Sequence, residues 1–164
     1  MSWRHEMARI RGLVPPQRRL AIEAGLWLGV IRLAVLALPF RWVASALRLE
    51  PLAATNETRV PEAIGGESPS QDVDAARAVG RVVRAVAAHT PWSSTCLVQS
   101  LTGHMLLRRR HVTSTVILGV ATDSDGGLIA HSWLICGDLV VTGGAGREHF
   151  RPIAAYRPTA HVSR

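Results

Sequence analysis

The stretch Pro91-Trp92-Ser93-Ser94-Thr95-Cys96-Leu97-Val98-Gln99-Ser100-Leu101 runs from a loop straight into a helix and leaves a cysteine in its first turn. The three residues before Cys96 are good helix caps, because a hydroxyl oxygen can accept a hydrogen bond from a free backbone N–H of the first turn. Further on, apolar residues recur at helical spacing and predict one buried face. They are Leu97, Val98, Leu101, Met105 and Leu106. The helix is predicted to end at the arginines 108–110, where cations meet the negative end of the dipole.

Cys96 is the first candidate for chemistry. The positive end of a helix dipole stabilises a thiolate, which is the nucleophilic form of cysteine. A small buried core cysteine is an equally good interpretation of this stretch alone.

Composition narrows the class of protein. A chain of 164 residues with 48% apolar residues suits one domain, or a small domain with a helical extension. The formal charge is +7 and the chain has no lysine, which excludes a Walker-type phosphate loop. The arginines are scattered and only 5% of the residues are aromatic, so we expect no nucleic-acid platform.

The two cysteines, Cys96 and Cys136, form neither a disulfide framework nor a zinc motif. No motif for a metal or another cofactor is visible. No secretory signal is apparent either, so we expect a cytoplasmic protein.

The N-terminal part contains one long apolar segment. Residues 19–47 are strongly helical in pattern, and Pro39 is predicted to end or kink the helix. A membrane span needs about 20 apolar residues, and Glu23 and Arg32 interrupt this run. A buried or peripheral helical hairpin is therefore favoured over a span, while contact of residues 20–47 with a membrane surface or a partner stays open. Residues 50–70 are predicted to be a linker or long exposed loop.

The remaining chain predicts helices followed by strands. Residues 72–88 form an amphipathic pattern that leads into the cysteine helix. Strands are predicted at 112–120, 128–136 and 139–142, with a hairpin turn at Gly137-Asp138. The tail 143–164 is predicted to be mostly irregular. This order indicates an α+β fold in which helices are segregated from an antiparallel sheet.

A cysteine nucleophile needs a base within hydrogen-bond reach, and His131 is the best placed of seven histidines. Strand alternation puts His131, Trp133 and Ile135 on one face. If that face packs on the cysteine helix, His131 meets the helix near its end. The other six histidines are interpreted as ordinary surface or core residues.

A third group usually orients the histidine, and the nearest acid in sequence is Asp138. The predicted hairpin pairs Cys136 with Leu139, Leu134 with Val141 and Ser132 with Gly143, so the residues opposite His131 are near Gly143 and Gly144. Asp138 then lies about 20 Å along the strand, which makes it a weak candidate. An oxyanion hole also needs preset donors. The Cys96 backbone N–H is one, and the Trp92 indole or the Gln99 amide is a candidate second, although Trp92 serves equally well for packing.

Several segments together resemble the leader peptidases of lasso-peptide biosynthesis, which are transglutaminase-like (papain-like) cysteine proteases. The matching segments are CLVQSL at 96–101, LLRRR at 106–110, VILGV at 116–120, AHSWL at 130–134 and VVTGG at 140–144. The resemblance covers about residues 72–155. It implies a cysteine helix packed on an antiparallel sheet, with residues 1–70 as a helical extension and linker and residues 71–164 as the protease domain.

The resemblance also implies an activity and partners. Cys96 would be the nucleophile and His131 the general base and acid of an enzyme that removes the leader from a precursor peptide. A separate leader-recognition protein would present the precursor, and a separate cyclase would close the macrolactam. Relatives often carry an acid in the segment that here reads VVTG at 140–143. The third member is therefore a carbonyl, Asp138 or no group at all.

Two other functions stay open. An acyl transferase would use the same Cys96–His131 pair with an amine as acceptor. A non-catalytic scaffold that binds a membrane or a partner would use the apolar helix instead, and Cys96 would be packing.

Overall fold

A computed structural model describes residues 15–52, 69–92 and 94–159. The helices are α1 (Pro15–Ala37), α2 (Phe40–Ala46), α3 (Ser70–Ala87) and α4 (Cys96–Arg108). The strands are β1 (Leu49–Pro51), β2 (Thr115–Thr122), β3 (Leu128–Cys136), β4 (Leu139–Thr142) and β5 (Arg151–Pro158), with a short 3₁₀ turn at Arg147–His149. The predicted α+β fold, with a cysteine helix on an antiparallel sheet, is confirmed.

The five strands form one antiparallel sheet in the order β1-β5-β2-β3-β4. The prediction of an irregular tail is wrong for β5, which pairs with β1 on one side and β2 on the other. Its prolines obscured the strand pattern. Pro152 lies beside a register shift in the β2–β5 ladder and Pro158 ends the strand, which are positions where a missing N–H is tolerated.

The predicted β3–β4 hairpin is confirmed at its turn and wrong further along. Cys136 pairs with Leu139 as expected, but Leu134 pairs with Thr142 and not with Val141. A bulge between Leu134 and Ile135 causes this one-residue shift, because it leaves Val141 as an extra residue on β4.

The two faces of the sheet have different partners. Leu134 and Cys136 belong to the main core, which they share with residues of α4 such as Leu101 and Leu107. Trp133 belongs to a second, smaller cluster on the other face, together with Ile117 and Ala155. Within the part of the chain that the structure describes, the helices cover the face of β3 that carries Leu134.

Close backbone approaches fix the helices on the sheet. Gly80 of α3 lies against the Val141 carbonyl so closely that a Cβ there would overlap the oxygen. Arg84, one turn further on, donates a hydrogen bond from Nη1 to the same carbonyl. Gly103 of α4 lies against the side chain of Leu134, because a Cβ on Gly103 would be only 2.7 Å from Leu134 Cδ2.

The inner face of α1 is part of the main core, since Leu20, Ala24, Leu28 and Ile31 are buried there. Glu23 forms ion pairs with Arg110 and Arg109 at the end of α4, at 2.7 and 3.1 Å. By length and composition alone, 17–37 is the one helix of the described residues that could cross a membrane, a test that core helices of soluble proteins also pass. As predicted, Pro39 lies at the break between α1 and α2.

The linker prediction falls mainly on residues 53–68, outside the described residues, as does the capping role of Ser93. The division of the chain at residue 70 stays a prediction.

Candidate active site

The loop before Cys96 is held by a small hydrogen-bond network. Thr90 Oγ1 lies 2.9 Å from the Ser94 Oγ and donates to the backbone carbonyl of Trp92 at 2.9 Å. Thr95 is the N-cap of α4, and its Oγ1 accepts a hydrogen bond from the Val98 N–H at 3.4 Å. The predicted cap is confirmed, and Cys96 is the first residue of the helix.

The Gln99 amide braces the same loop. Its Nε2 donates to the Ser94 carbonyl at 2.8 Å, one turn from Cys96. This bond uses one of the two hydrogens of the Gln99 amide, and an oxyanion donor would need the other. Gln99 therefore holds the loop that leads into the helix of Cys96, and its role as an oxyanion donor stays a prediction.

Cys96 is half-buried and begins the stripe of α4 that faces the sheet. Ser100, one turn further on, is buried, and its Oγ lies 3.3 Å from Thr142 Oγ1 at the end of β4. A helical turn rises about 5.4 Å, so Cys96 lies about one turn beyond the point where α4 meets Thr142. The Cys96 backbone therefore lies about one helical turn from the contact of α4 with the end of β4.

His131 reaches the same strand end. Its Nε2 lies 2.9 Å from the carbonyl oxygen of Gly143, the residue after Thr142. The imidazole stacks on Trp133, with ring centroids 6.0 Å apart, and lies 4.9 Å from the ring of Phe150. The segment Thr142–Gly143 therefore contacts the cysteine helix through one residue and the histidine through the next.

The predicted packing of His131 against the cysteine helix is wrong in one respect. His131 shares the Trp133 face of β3, whereas α4 packs on the Leu134 face. Strand alternation makes these two faces opposite. Since β4 ends at Thr142, no described strand pairs with β3 beside His131 on the side of β4.

The third group has a clear candidate in the backbone. A carbonyl oxygen only accepts hydrogen bonds, so the Gly143 contact requires the hydrogen on His131 Nε2 and leaves Nδ1 as the free acceptor. Asp138 lies in the two-residue turn at the far end of the hairpin. The geometry favours a carbonyl over Asp138 among the alternatives that the sequence left open.

Trp92 packs on α1. The edge of its indole lies 3.7 Å from the position of a Cβ on Gly29, and its Nε1 is buried with no hydrogen-bond partner among the described residues. Packing is the role that these contacts support.

The sequence pattern does not indicate Phe150, because this residue lies in the tail that is predicted to be irregular. Its aromatic character five residues after a Gly-Gly-Ala run was the only signal.

His104 is a core histidine, as predicted. It is fully buried on α4, and its Nδ1 lies 3.0 Å from Ser114 Oγ. Burial lowers the pKa of His104 to about 4, with the nearby Arg108 charge acting in the same direction and the Leu47 carbonyl opposing it. The ring is therefore neutral at pH 7. Among the described residues, no group of three or more histidine, cysteine or acidic side chains is placed to hold a metal ion.

Comparison with known proteins identifies the family to which the chain belongs. The model of the transglutaminase-like superfamily matches residues 34–155, which is more than half of the chain. The chain belongs to the transglutaminase-like superfamily. This transglutaminase-like fold includes cysteine peptidases and acyltransferases. No curated protein and no solved structure matches the chain.

Proposed function

We propose that this transglutaminase-like protein hydrolyses a peptide bond through an acyl-enzyme on Cys96, with His131 as general base and acid. The observation that supports the proposal is that the cysteine helix and His131 contact neighbouring residues at one strand end. Ser100 connects the cysteine helix to Thr142 at 3.3 Å, and His131 Nε2 contacts the next residue, Gly143, at 2.9 Å. The cap at Thr95 directs free backbone N–H groups and the positive dipole end at the thiol.

In the first half of the reaction, His131 Nδ1 takes the proton of the Cys96 thiol, and the sulfur attacks the scissile carbonyl carbon. The Cys96 backbone N–H is a donor for the resulting oxyanion. The C–N bond then breaks, the leaving amine receives the proton from His131, and a thioester remains on the sulfur. In the second half, water gives its proton to His131 and attacks the thioester, which releases the free acid and the thiol.

The substrate class that we propose is the leader segment of a lasso-peptide precursor. Support comes from the five matching segments around Cys96 and His131 and from the family match across them. A separate leader-recognition protein would present the precursor, and a cyclase would use the released core. The altered 140–143 segment fits an enzyme in which a backbone carbonyl takes the place of the missing acid.

Acyl transfer to an amine is the second candidate, because the superfamily includes acyltransferases as well as peptidases. The thioester is common to both reactions, and only the acceptor differs. Nothing among the described residues marks a site for an amine acceptor, and hydrolysis needs only water.

The test incubates the full chain with a lasso-peptide precursor and a leader-recognition protein, both of which we expect to be encoded beside its gene, and analyses the products by mass spectrometry. We expect free leader acid and core peptide with the wild-type chain, and no cleavage with Cys96→Ala or His131→Ala. Cys136→Ala and His149→Ala are the matched controls, since Cys136 is a buried core thiol and His149 an exposed histidine. Both controls should cleave.

Two results would contradict the proposal. An amide adduct with an added amine, in place of leader acid, would assign acyl transfer. Alkylation of Cys96 by iodoacetamide at neutral pH no faster than that of a free model thiol, together with undiminished cleavage by Cys96→Ala, would remove the nucleophile.

A further inference from the structure

The outward face of α1 carries only apolar side chains from Ile22 to the end of the helix. Five large ones are more than half exposed, and we call them the α1 stripe: Ile22 57%, Leu26 66%, Val30 53%, Leu33 69% and Leu36 69%. Their spacing of three and four residues puts them on one side of the helix. At 1.5 Å per residue the stripe is about 21 Å long.

Helix α3 shows that an apolar outward face is not a general feature of the surface helices in this protein. Both α1 and α3 pack on the same core, but the outward face of α3 carries Gln71, Asp74, Arg77 and Arg81. An amphipathic surface helix is expected to look like α3. Five large aliphatic side chains exposed to water on one helix face indicate that this face binds to another surface.

The exposed charges on α1 and α2 are all positive. Arg18 and Arg19 are exposed in the first turns of α1, and Arg41 is exposed on α2 beside Trp42, which is 61% exposed. The one acid in this part of the chain, Glu23, is turned to the ion pairs with Arg109 and Arg110. Cations and an aromatic ring at the rim of an apolar strip are typical of helices that lie on anionic lipid.

A bilayer fits this surface better than a protein partner does. A protein interface carries about one hydrogen bond per 100–200 Å², whereas the stripe offers no side-chain donor or acceptor. Insertion across the bilayer is disfavoured, because Leu20, Ala24 and Leu28 on the inner face are buried in the core and Glu23 is paired with α4. We infer that α1 lies in the plane of an anionic membrane surface, with the α1 stripe in the lipid and the arginines at the headgroups.

Co-sedimentation of the full chain with vesicles tests this inference and needs no catalytic activity. The vesicles are phosphatidylcholine with and without phosphatidylglycerol, at low and high salt. We expect binding to the phosphatidylglycerol vesicles that weakens with salt. The double variant Leu26→Ser/Leu33→Ser should lose about tenfold or more in partition coefficient, because it removes two buried aliphatic side chains from lipid.

Two double variants that remove the same charge distinguish the effect of the arginines on α1 and α2 from the effect of net charge. Arg18→Gln/Arg41→Gln should weaken binding to anionic vesicles severalfold, whereas Arg77→Gln/Arg81→Gln on α3, with the same loss of charge, should not. Circular dichroism melting checks that every variant is folded.

Three outcomes would overturn the inference. The first is a protein that stays in the supernatant with phosphatidylglycerol vesicles at low salt. The second is equal weakening by the two arginine pairs combined with no effect of the leucine pair. The third is a dimer in light scattering that Leu26→Ser/Leu33→Ser dissociates while vesicle binding is absent, which would assign the stripe to a second copy of the chain.

Discussion

His131 donates from Nε2 to the backbone carbonyl of Gly143 over 2.9 Å. This single bond selects the tautomer of the neutral imidazole, because the hydrogen has to lie on Nε2 and Nδ1 is then left as the acceptor. In a Cys–His enzyme the group that orients the histidine is commonly a side chain. In the mechanism that we propose, this role falls to a carbonyl in a turn that only glycine adopts easily, with φ +69°.

Gly143→Ala should therefore reduce turnover without unfolding the protein. A Cβ at this residue would overlap the Ser132 carbonyl oxygen and displace the turn. We expect kcat to fall by about tenfold or more, since general base catalysis contributes about 10²–10⁴-fold. The ¹⁵N chemical shifts of the His131 ring should change from the Nε2–H tautomer to a mixture.

Gly146→Ala is the control for this change, because Gly146 has nearly the same backbone angle, φ +72°, but no atom within 4 Å of an added Cβ. It should keep both the activity and the tautomer. An unchanged ring spectrum in Gly143→Ala would exclude the carbonyl as the orienting group.

Asp138→Asn should keep cleavage within about twofold of wild type. Asp138 occupies the hairpin turn, at the far end of β3 from His131 and about 20 Å away at the strand rise of about 3.3 Å per residue. Progress curves for the two proteins at the same concentration provide the measurement. A loss as large as that of His131→Ala would place the carboxylate in the site and refute the carbonyl assignment.

Stability should fall in mild acid because of His104. Its pKa of about 4 in the fold lies below the ordinary 6.5, so the unfolded chain binds a proton that the folded chain rejects. This contribution is complete above pH 6.5 and is lost as the pH falls towards 4, by up to about 3 kcal/mol at about 1.4 kcal/mol per pH unit. Urea unfolding at several pH values should show a steeper decline for wild type than for His104→Gln.

The Glu23 carboxylate affects stability in a lower pH range, so its contribution can be separated from that of His104. The hydrogen bond from Arg110 lowers the pKa of Glu23, so its contribution is present above the ordinary value of 4.5 and is lost only below it. The pair is partly exposed, so the effect should be under about 1 kcal/mol. If His104→Gln leaves the decline between pH 6.5 and 4.5 unchanged, another group causes it.

Two helical glycines should respond oppositely to alanine. Gly80→Ala should destabilise the fold by about 1–3 kcal/mol, because the new methyl group would overlap the Val141 carbonyl that α3 contacts. Gly25→Ala has open space, with its nearest neighbour at 3.7 Å, and should stabilise α1 by about 0.5–1 kcal/mol. Thermal melting of both variants decides this, and equal effects would mean that α3 does not approach β4 so closely.

The elements with strong periodic patterns could be predicted from sequence. The cysteine helix, β3 and the hairpin turn at Gly137-Asp138 follow from local spacing and turn chemistry, and the structure has them at almost the same residues. The strand β5 could not be predicted in this way. Its stability comes from ladders to β1 and β2, which are distant in the chain, while its prolines are locally unfavourable.

The sequence by itself determined that a cysteine begins a capped helix and that a histidine lies on a following strand, because both are consequences of short-range hydrogen bonding and side-chain periodicity. Only the tertiary structure decided which face of β3 meets that helix and which group binds the imidazole. The contact between His131 and Gly143 depends on the one-residue bulge at Val141 of β4 and on the turn at Gly143, whose effects appear only when the hairpin and the tail pack together.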